Sequence, residues 1–325
     1  MGVALAITAM AYAFWYIATP MQVRNLPVEF EIPPGSGFRA AVEQIEKAGI
    51  DVHAVSFEIL ARALGVANSV KAGSYEVTKR HTPMELLERL ARGDVIQVDL
   101  ILLEGWTIRQ VRSAIDVNPL LRHETRDLDD RQLLERLGAK EQHAEGLFFP
   151  DTYRFAKGSG DLALLRRAYQ AMRDQLAQEW SARSPDAPYR TPYEALIMAS
   201  IIEKETGRAE ERDLVAGVLV NRLRIGMRLQ ADPTVIYGLG EEFDGNLRKM
   251  HLLEDGPYNS YTRAGLPPTP ISMPSLASLR AALQPDRTNA LYYVSRGDGT
   301  SEFSRSLNEH NRAVDKFQRA PARRR

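Results

Sequence analysis

The chain contains no cysteine among its 325 residues, and its formal net charge is zero. The lack of cysteine excludes a disulfide framework and metal sites built from thiolates. The zero net charge argues against a nucleic-acid binder, because such proteins owe much of their affinity to basic side chains that neutralise phosphates. We therefore expect no nucleic acid among the partners of this protein.

Recognisable cofactor motifs are also missing. The six histidines are scattered along the chain without the spacing of a metal site. There is no nucleophile elbow, P-loop or dinucleotide-binding fingerprint. We expect neither a metal ion nor an organic cofactor. The composition is otherwise that of a globular protein, with 44% hydrophobic and 26% charged residues, and the length makes two domains a reasonable expectation.

One long apolar run stands at the start of the chain. Gly2 to Thr19 is eighteen residues without a charge, long enough at about 1.5 Å per residue to cross most of a bilayer's hydrocarbon core. Tyr12, Trp15 and Tyr16 have the positions of an aromatic belt at one membrane interface. We therefore predict a transmembrane anchor over residues 1–20.

A cleaved signal peptide is the alternative interpretation of this run, because Ala11–Ala13 has the small-residue pattern of a cleavage site. Cleavage there would leave the apolar residues Phe14–Ile17 at the new N-terminus, which favours an uncleaved signal anchor. No Lys or Arg precedes the run and Arg24 follows it, so the charges do not support a cytoplasmic N-terminus. We expect everything after residue 20 to lie outside the cytoplasm.

Residues 28–95 are predicted to form a small α/β subdomain. Alternating apolar residues, helical periodicity and a capping box at Thr82 indicate, in order, strand 28–32, helices 38–48 and 56–64, strand 73–77 and a helix ending at Gly93. This order resembles a LysM-like module, a fold that grips chitin-type and peptidoglycan glycans. A plain structural spacer fits the same pattern.

Residues 96–318 are predicted to form a larger, mostly helical catalytic domain with short strands. The indicated elements are a strand over 95–103, a helix capped by Thr107 and Gln110, helices at 128–137, 162–180 and 210–223, a hairpin of 291–295 with 301–304, and a last helix from Leu307. The fold class is thus α+β, with an anchor helix before the two domains and a disordered tail over 319–325. Residues 145–153 are too aromatic for a simple linker.

The most informative segment is a helix predicted to begin at Pro192, within the capping box Thr191–Glu194. From Ala195 to Ile202 no residue is charged and apolar side chains occur all round the helix, which indicates a buried helix. Gly207 is a natural C-terminal stop, so Glu203 falls in the last turn.

An acid at Glu203 has apolar neighbours and lies near the negative end of the helix dipole. Both conditions favour the protonated carboxyl group that a general acid needs. A helix-end glutamate pointing into water is the alternative interpretation. Glu205 is not a partner carboxylate for the same bond, because two positions on a helix differ by about 200°, and we read Lys204 and Glu205 as solvated or structural.

At this point several motifs resemble one family. They are Ala199–Thr206, Asn221–Gln230, Asp232–Tyr237, Tyr258–Tyr261 and Gly265–Pro268, with Glu145–Tyr153 and Glu309–Asn311 as weaker matches. In this order and spacing they look like the endolytic murein transglycosylase (YceG-like) family, and the resemblance is co-linear over residues 25–317. Several co-linear motifs are more specific than any short pattern alone.

The resemblance implies an enzyme, a lyase that cuts nascent peptidoglycan strands within the chain and limits their elongation. It implies cleavage of the β-1,4 bond between N-acetylmuramic acid and N-acetylglucosamine, leaving 1,6-anhydro ends, with Glu203 as the catalytic acid. The expected location is the inner membrane, crossed once, with the catalytic domain in the periplasm. The expected partners are glycan strands, the membrane and peptidoglycan polymerases.

Six further residues are predicted to bind substrate: Gln230, Asp232, Thr234, Tyr237, Asn259 and Tyr261. Amides and hydroxyls suit acetamido groups, and tyrosine rings suit sugar faces, yet each residue alone also fits a structural role. Asp232 precedes a proline and is best read as the cap of the next helix. If it faced the bond instead, the protein would be a hydrolytic muramidase, and a non-catalytic, membrane-tethered glycan-binding scaffold is the third hypothesis.

Overall fold

The computed structural model describes residues 2–319 and shows an α+β protein of thirteen α-helices and three two-stranded sheets within that range. The helices are α1 (Gly2–Ala18), α2 (Phe38–Lys47), α3 (Ala54–Ala63), α4 (Pro83–Arg92), α5 (Ile108–Asp116), α6 (Asp130–Leu137), α7 (Asp161–Ser181), α8 (Pro192–Glu205), α9 (Arg212–Arg224), α10 (Asp232–Leu239), α11 (Lys249–Leu253), α12 (Leu276–Leu283) and α13 (Leu307–Val314). The strands are β1 (Val28–Ile32), β2 (Gly73–Val77), β3 (Gln97–Ile101), β4 (Thr152–Ala156), β5 (Tyr292–Ser295) and β6 (Ser301–Ser304). The tail predicted for 319–325 lies, apart from Arg319, outside the described residues.

The N-terminal apolar run does form a helix, α1, but it has seventeen residues and ends two positions before Pro20. A helix of this length spans about 26 Å, and proline cannot continue it. Of residues 2–319, no helix combines the length and apolar character needed to cross a bilayer. The transmembrane anchor predicted for residues 1–20 is therefore not confirmed.

The chain divides into two compact units. The first comprises the described residues up to Leu100, together with Pro119–Arg122 and Arg154–Gly160. In it β1 pairs antiparallel with β2, and the stacked rings of Phe30 and Tyr75 lie 5.4 Å apart between centroids. Helices α2, α3 and α4 supply the rest of its core, and the end of α1 packs against it through Tyr16 and Ile17.

The predicted order of strand, helix, helix and strand is observed in this first unit. Only α3 starts earlier than expected, at Ala54, because the ring of His53 accepts a hydrogen bond from the Ser56 amide and caps the helix two residues upstream. The capping box at Thr82 is complete. The LysM-like, glycan-gripping role of the subdomain stays a prediction.

Strand β3 is shorter than the predicted 95–103, and it pairs with β4, where the sequence indicated only a loop. Arg154 of β4 forms an ion pair with Asp99 of β3 at 3.0 Å. The missed strand has five residues, in which buried Tyr153 and Phe155 alternate with exposed Thr152 and Arg154.

The second unit comprises Ile101–Asn118, His123–Tyr153 and the chain from Asp161 onward. Its centre is α8, whose residues Ala195–Ile202 are all buried as predicted, and α7, α9, α10 and α12 pack around it. Thr191 caps α8 by accepting the Glu194 amide at 3.2 Å. Glu194 itself accepts from the Arg190 amide, so the predicted capping box is only half formed. The hairpin β5–β6 and helix α13 complete the unit as expected.

Candidate active site

The carboxyl group of Glu203 lies in the last turn of α8 and is held by one oxygen. Oε2 accepts hydrogen bonds from the Ser275 amide at 2.9 Å, the Ser275 hydroxyl at 2.5 Å and the Ser278 hydroxyl at 2.7 Å. Oε1 receives no hydrogen bond from the residues that the structure describes. One oxygen is thus fixed and the other is free to meet a substrate.

The donors to Glu203 come from the N-terminus of α12. Ser275 is the N-cap of that helix, and its hydroxyl oxygen also accepts the Ser278 amide at 3.2 Å. The positive end of the α12 dipole therefore faces the carboxyl group, opposite in sign to the end of α8 that carries it. Such a setting stabilises negative charge on Glu203.

The segment leading to Ser275 is fastened to α8. Ser200, fully buried, accepts a hydrogen bond from the Ile271 amide at 3.0 Å, and the Ser272 hydroxyl donates to the Ser200 carbonyl at 3.2 Å. The residues 269–278, here called the serine segment, thus keep a fixed position relative to the helix that carries Glu203.

A tight turn at Glu104–Trp106 lies against the same carboxylic acid. A side-chain carbon placed on Gly105 would lie 3.8 Å from Cγ of Glu203, and Gly105 has φ near +72°, a conformation that suits glycine. The exposed Lys204 donates to the Gly105 carbonyl at 3.3 Å. Gly105 and Trp106 exchange backbone hydrogen bonds with Met273, which joins the turn to the serine segment.

Of the two readings of Glu205, solvated or structural, the structural one fits, because the side chain is partly buried and has a partner. Its Oε2 accepts a hydrogen bond from the Tyr293 hydroxyl of β5 at 2.9 Å. Burial raises its pKa to about 7, and the negative charge of Asp232 adds to that rise, while Tyr293 and Arg222 act in the opposite direction. A carboxyl group with a raised pKa, that of Glu205, therefore lies two residues from Glu203.

Two of the predicted substrate residues, Asp232 and Tyr261, meet directly. The Tyr261 hydroxyl donates to Asp232 Oδ1 at 2.5 Å, and the Asp232 side chain is exposed. The prediction that Asp232 caps α10 is wrong, because the N-cap is Ala231 and makes no side-chain bond, so Asp232 is the first helical residue. Proline at the second position leaves one amide fewer for a cap to satisfy.

Gln230 precedes this pair and adopts φ of 50°, the only positive φ of a non-glycine residue among those described. Its amide donates to the Ser260 carbonyl at 3.1 Å, and its side chain is exposed. Residues kept in this region of φ cost free energy and often mark functional sites. Substrate binding by this exposed amide stays a prediction.

Thr234 and Asn259 have their polar atoms occupied inside the protein. The Thr234 hydroxyl donates to the Ala231 carbonyl at 2.7 Å and lies 2.8 Å from the Ser260 hydroxyl. The Asn259 amide nitrogen lies within hydrogen-bond distance of three backbone carbonyls, and its oxygen accepts the Tyr261 amide. Their arrangement orders the loop beside α10. Substrate binding by these residues stays a prediction.

Tyr237, the last of the predicted substrate residues, turns toward the protein interior. Its hydroxyl donates to Oε2 of Glu145 at 3.0 Å, and its ring meets the Tyr258 ring edge-on at 4.9 Å. Burial raises the pKa of Glu145 to about 7.

This geometry can be compared with known proteins. The sequence model of the YceG-like family matches residues 30–316. The chain belongs to the YceG-like family. The family resemblance found in the sequence is thereby confirmed.

Named relatives extend the comparison. A protein of Bacillus subtilis (strain 168) named endolytic murein transglycosylase is 28% identical over 89% of this chain and 84% of its own length. A protein of the same name from Streptococcus pneumoniae serotype 2 is 28% identical over 87% of this chain. This YceG-like chain spans 57% of that relative's length.

A solved structure shows the same fold. The crystal structure of a YceG-like protein from Listeria monocytogenes superposes with a TM-score of 0.55 and 29% sequence identity. The match covers 88% of this chain and 98% of the Listeria chain. The α+β fold class is therefore that of a YceG-like protein.

Four site residues of this YceG-like chain escaped the sequence reasoning: Ser275, Ser278, Tyr293 and Glu145. A signal for the serines was present, because Ser275 follows a proline and precedes the apolar run of α12, a typical N-cap position. No local pattern could pair Tyr293 with Glu205, which are 88 positions apart. Within residues 2–319, no group of three metal-ligating side chains comes together.

Proposed function

We propose that this protein cleaves the β-1,4 bond between N-acetylmuramic acid and N-acetylglucosamine within peptidoglycan strands, leaving 1,6-anhydro-muramic acid ends. It is a lytic transglycosylase, and Glu203 is its acid and base. The observation that carries the proposal is a single carboxyl group with one oxygen fixed by three donors and the other oxygen free. The names of the relatives supply the substrate class.

The reaction needs only one carboxyl group. Glu203 gives its proton from Oε1 to the glycosidic oxygen, and the bond from that oxygen to the anomeric carbon of the muramic acid breaks. The C6 hydroxyl of the same sugar then bonds to the anomeric carbon, and its proton returns to Glu203. No water is consumed, and Glu203 ends in its starting state.

The surroundings of Glu203 support both halves of this cycle. The free Oε1 is the oxygen that can donate and receive the proton. The three donors on Oε2 and the N-terminus of α12 stabilise the carboxylate that exists between the two proton transfers. Because these groups are already in place, the enzyme pays little reorganisation free energy during the reaction.

The site supports a lyase rather than a hydrolase of the two-carboxylate type. Glu205 accepts a hydrogen bond from the Tyr293 hydroxyl, and Asp232 accepts one from the Tyr261 hydroxyl. A hydrolase needs a second carboxylate as base or nucleophile opposite the acid. Glu203 and Glu205 lie about 200° apart on α8, so Glu205 does not face the same bond as Glu203.

The test is digestion of uncrosslinked glycan strands by the full chain, followed by mass spectrometry of the products. Anhydro-muropeptides are expected, and reducing ends about 18 Da heavier would show hydrolysis instead. Glu203→Gln should remove activity while leaving the thermal unfolding curve unchanged. Glu194→Gln, at the opposite end of α8, is the matched control and should stay active. Absence of any product from the wild-type chain would leave the glycan-binding scaffold as the explanation.

We further propose that the protein works at the inner membrane with its catalytic unit in the periplasm, near peptidoglycan polymerases. The exposed apolar side chains of α1, among them Val3, Leu5 and Phe14, support contact with lipid. Cell fractionation of the full chain and of a variant lacking residues 2–18 tests this proposal. The full chain should sediment with membranes and the shortened one should not.

A further inference from the structure

Glu145 is a buried charged residue with no part in the reaction described above. Its side chain is almost inaccessible, at 3% relative exposure. Oε1 accepts the Ile108 amide at 3.0 Å, and Oε2 accepts the Tyr237 hydroxyl at 3.0 Å. Burying a carboxylate costs free energy that an uncharged residue of similar shape would avoid. Burial raises the pKa of Glu145, and its hydrogen bonds act in the opposite direction.

The first contact of Glu145 fixes the start of α5. Ile108 is the first residue of that helix, directly after the cap Thr107. The turn Glu104–Trp106 precedes it by one residue, and Gly105 in that turn lies against Glu203. Oε1 of Glu145 therefore anchors the chain at the base of the turn that borders the catalytic acid.

The second contact of Glu145 fixes α10 and, through it, the serine segment. Tyr237 packs edge-on against Tyr258, whose hydroxyl lies 2.8 Å from the Thr269 hydroxyl at the beginning of the serine segment. The other end of α10 begins at Asp232, whose charge acts on Glu205. One end of α10 therefore contacts the serine segment through Tyr258, and the other end influences Glu205.

We propose that Glu145 is a positioning residue for this reaction. Its buried carboxylate ties the base of the Glu104–Trp106 turn to α10, and so sets the spacing between that turn and the serine segment, the two walls beside Glu203. This inference rests on the proposed function. Glu145 does not touch the reacting atoms and acts through Ile108 and Tyr237.

The role requires the ionised form of Glu145. A carboxylate offers an acceptor at each oxygen, which matches the two donors that it meets. A protonated carboxyl group, or a glutamine amide, places a donor at one of these oxygens, so one of the two contacts must be remade. The groups facing Glu145 are Asp130 of α6, Tyr193 of α8 and Tyr237 of α10, with the Gly146 amide on its own loop.

Among these groups, the negative charge of Asp130 raises the pKa of Glu145, while the bonds from Ile108, Tyr237 and Gly146 lower it. Burial is the largest influence and brings the pKa to about 7. The fraction of ionised Glu145 therefore rises between pH 6 and pH 8. If the carboxylate holds the walls, the turnover number should rise over the same interval.

The test compares pH profiles of strand cleavage by the full chain and three variants. Glu145→Gln should reduce the turnover number about tenfold at pH 8, a loss of about 1.4 kcal/mol of transition-state stabilisation, and should rise less around pH 7 than the wild type does. Tyr237→Phe removes one donor to the carboxylate, which raises the pKa of Glu145 further, so its rise should move to higher pH.

Asp161→Asn is the matched control. Asp161 is fully buried and accepts hydrogen bonds from two backbone amides and from the Thr125 hydroxyl. None of these partners is a donor to Glu203. Asp161→Asn should lower the melting temperature and leave the pH profile unchanged. Hydrogen exchange provides a second readout. Amides of residues 104–110 and 232–240 should exchange faster in Glu145→Gln than in Asp161→Asn.

A Glu145→Gln variant with the wild-type rise around pH 7 would overturn the inference, whether or not its stability falls. If this variant does not fold, Tyr237→Phe decides: an unshifted pH profile overturns the inference and an upward shift supports it. A wild-type chain that releases no anhydro ends overturns the proposed function and, with it, the role of Glu145. Wild-type anhydro products with an unaffected variant count against Glu145 alone.

Discussion

The Ser278 hydroxyl donates to Oε2 of Glu203 at 2.7 Å, although the two residues are 75 positions apart in the chain. The contact joins the last turn of α8 to the first turn of α12. Because Oε2 is held in this way, the orientation of the whole carboxyl group is set by a helix that the sequence alone did not reveal.

Replacement of Ser278 by alanine should therefore weaken catalysis. A hydrogen bond to a charged group is worth about 1.5–3 kcal/mol, so steady-state measurements should show a turnover number lowered about 10- to 100-fold. The Michaelis constant should change little, since Ser278 meets Glu203 and not the sugar. Ser304→Ala, another buried serine of the same unit, is the control and should keep its turnover number. Equal rates in both variants would contradict the role given to Ser278.

Glu205 should make stability depend on pH. Its pKa is about 7 in the folded protein, above the ordinary value of 4.5. The folded state therefore binds the proton more tightly, and the stabilisation is fully present below pH 4.5 and lost as pH rises through 7. Each such group contributes a slope of at most about 1.4 kcal/mol per pH unit. Urea unfolding of Glu205→Gln between pH 5 and 8 should show a flatter dependence than the wild type.

Tyr293→Phe is the companion to that experiment. It removes a donor to the ionised form of Glu205, so the pKa should rise further and the loss of stability should extend to higher pH. Glu145 titrates in the same interval, and a Glu145→Gln, Glu205→Gln double variant should be flatter than either single one. If the pH dependence of the unfolding free energy keeps its wild-type slope in Glu145→Gln, in Glu205→Gln and in the double variant, neither carboxyl group has a perturbed pKa.

Gln230 should respond differently to glycine and to alanine. Glycine adopts positive φ without the steric cost that other residues pay, so Gln230→Gly should raise the free energy of unfolding by about 1 kcal/mol. Gln230→Ala keeps the steric cost of a positive φ, so its free energy of unfolding should not rise. Both variants lose the exposed amide, and both should show a higher Michaelis constant if that amide binds the glycan. If both variants keep the wild-type Michaelis constant, the Gln230 side chain does not bind the glycan and only its backbone conformation matters.

The contact of Tyr261 with Asp232 separates a structural from a catalytic aspartate. Tyr261→Phe and Asp232→Asn should each weaken glycan binding several-fold while the products remain anhydro ends, because neither residue carries the proton in a one-carboxylate reaction. Product masses and the Michaelis constant are the measurements. Complete loss of turnover in Asp232→Asn, with binding intact, would indicate that Asp232 is the second carboxylate of a hydrolase.

Much of the fold was readable from the sequence because it depends on local chemistry. The boundaries of α4, α5 and α8 follow from capping residues, and the hairpin β5–β6 follows from the Gly297–Gly299 turn. Strand β4 and helices α11 and α12 were missed. Their shortness alone does not account for this, because the predicted β1 and β2 are as short as β4, and the predicted α6 and α13 are as short as α12. The apolar run at the start of the chain forms the predicted helix, α1, over Gly2–Ala18.

In the candidate site, too, some features follow from the sequence alone and others only from the tertiary structure. The sequence by itself determined that α8 is buried and that Glu203 lies in its last turn, because apolar periodicity and the Thr191 cap are local properties. The helix ends at Glu205 with an extended Thr206, not with the left-handed glycine predicted at Gly207. Only the tertiary structure decided which groups meet that carboxyl. Ser275 and Ser278 reach it, Tyr293 reaches Glu205, and Tyr237 turns away to Glu145, because hydrogen bonds between distant segments depend on packing that no local pattern encodes.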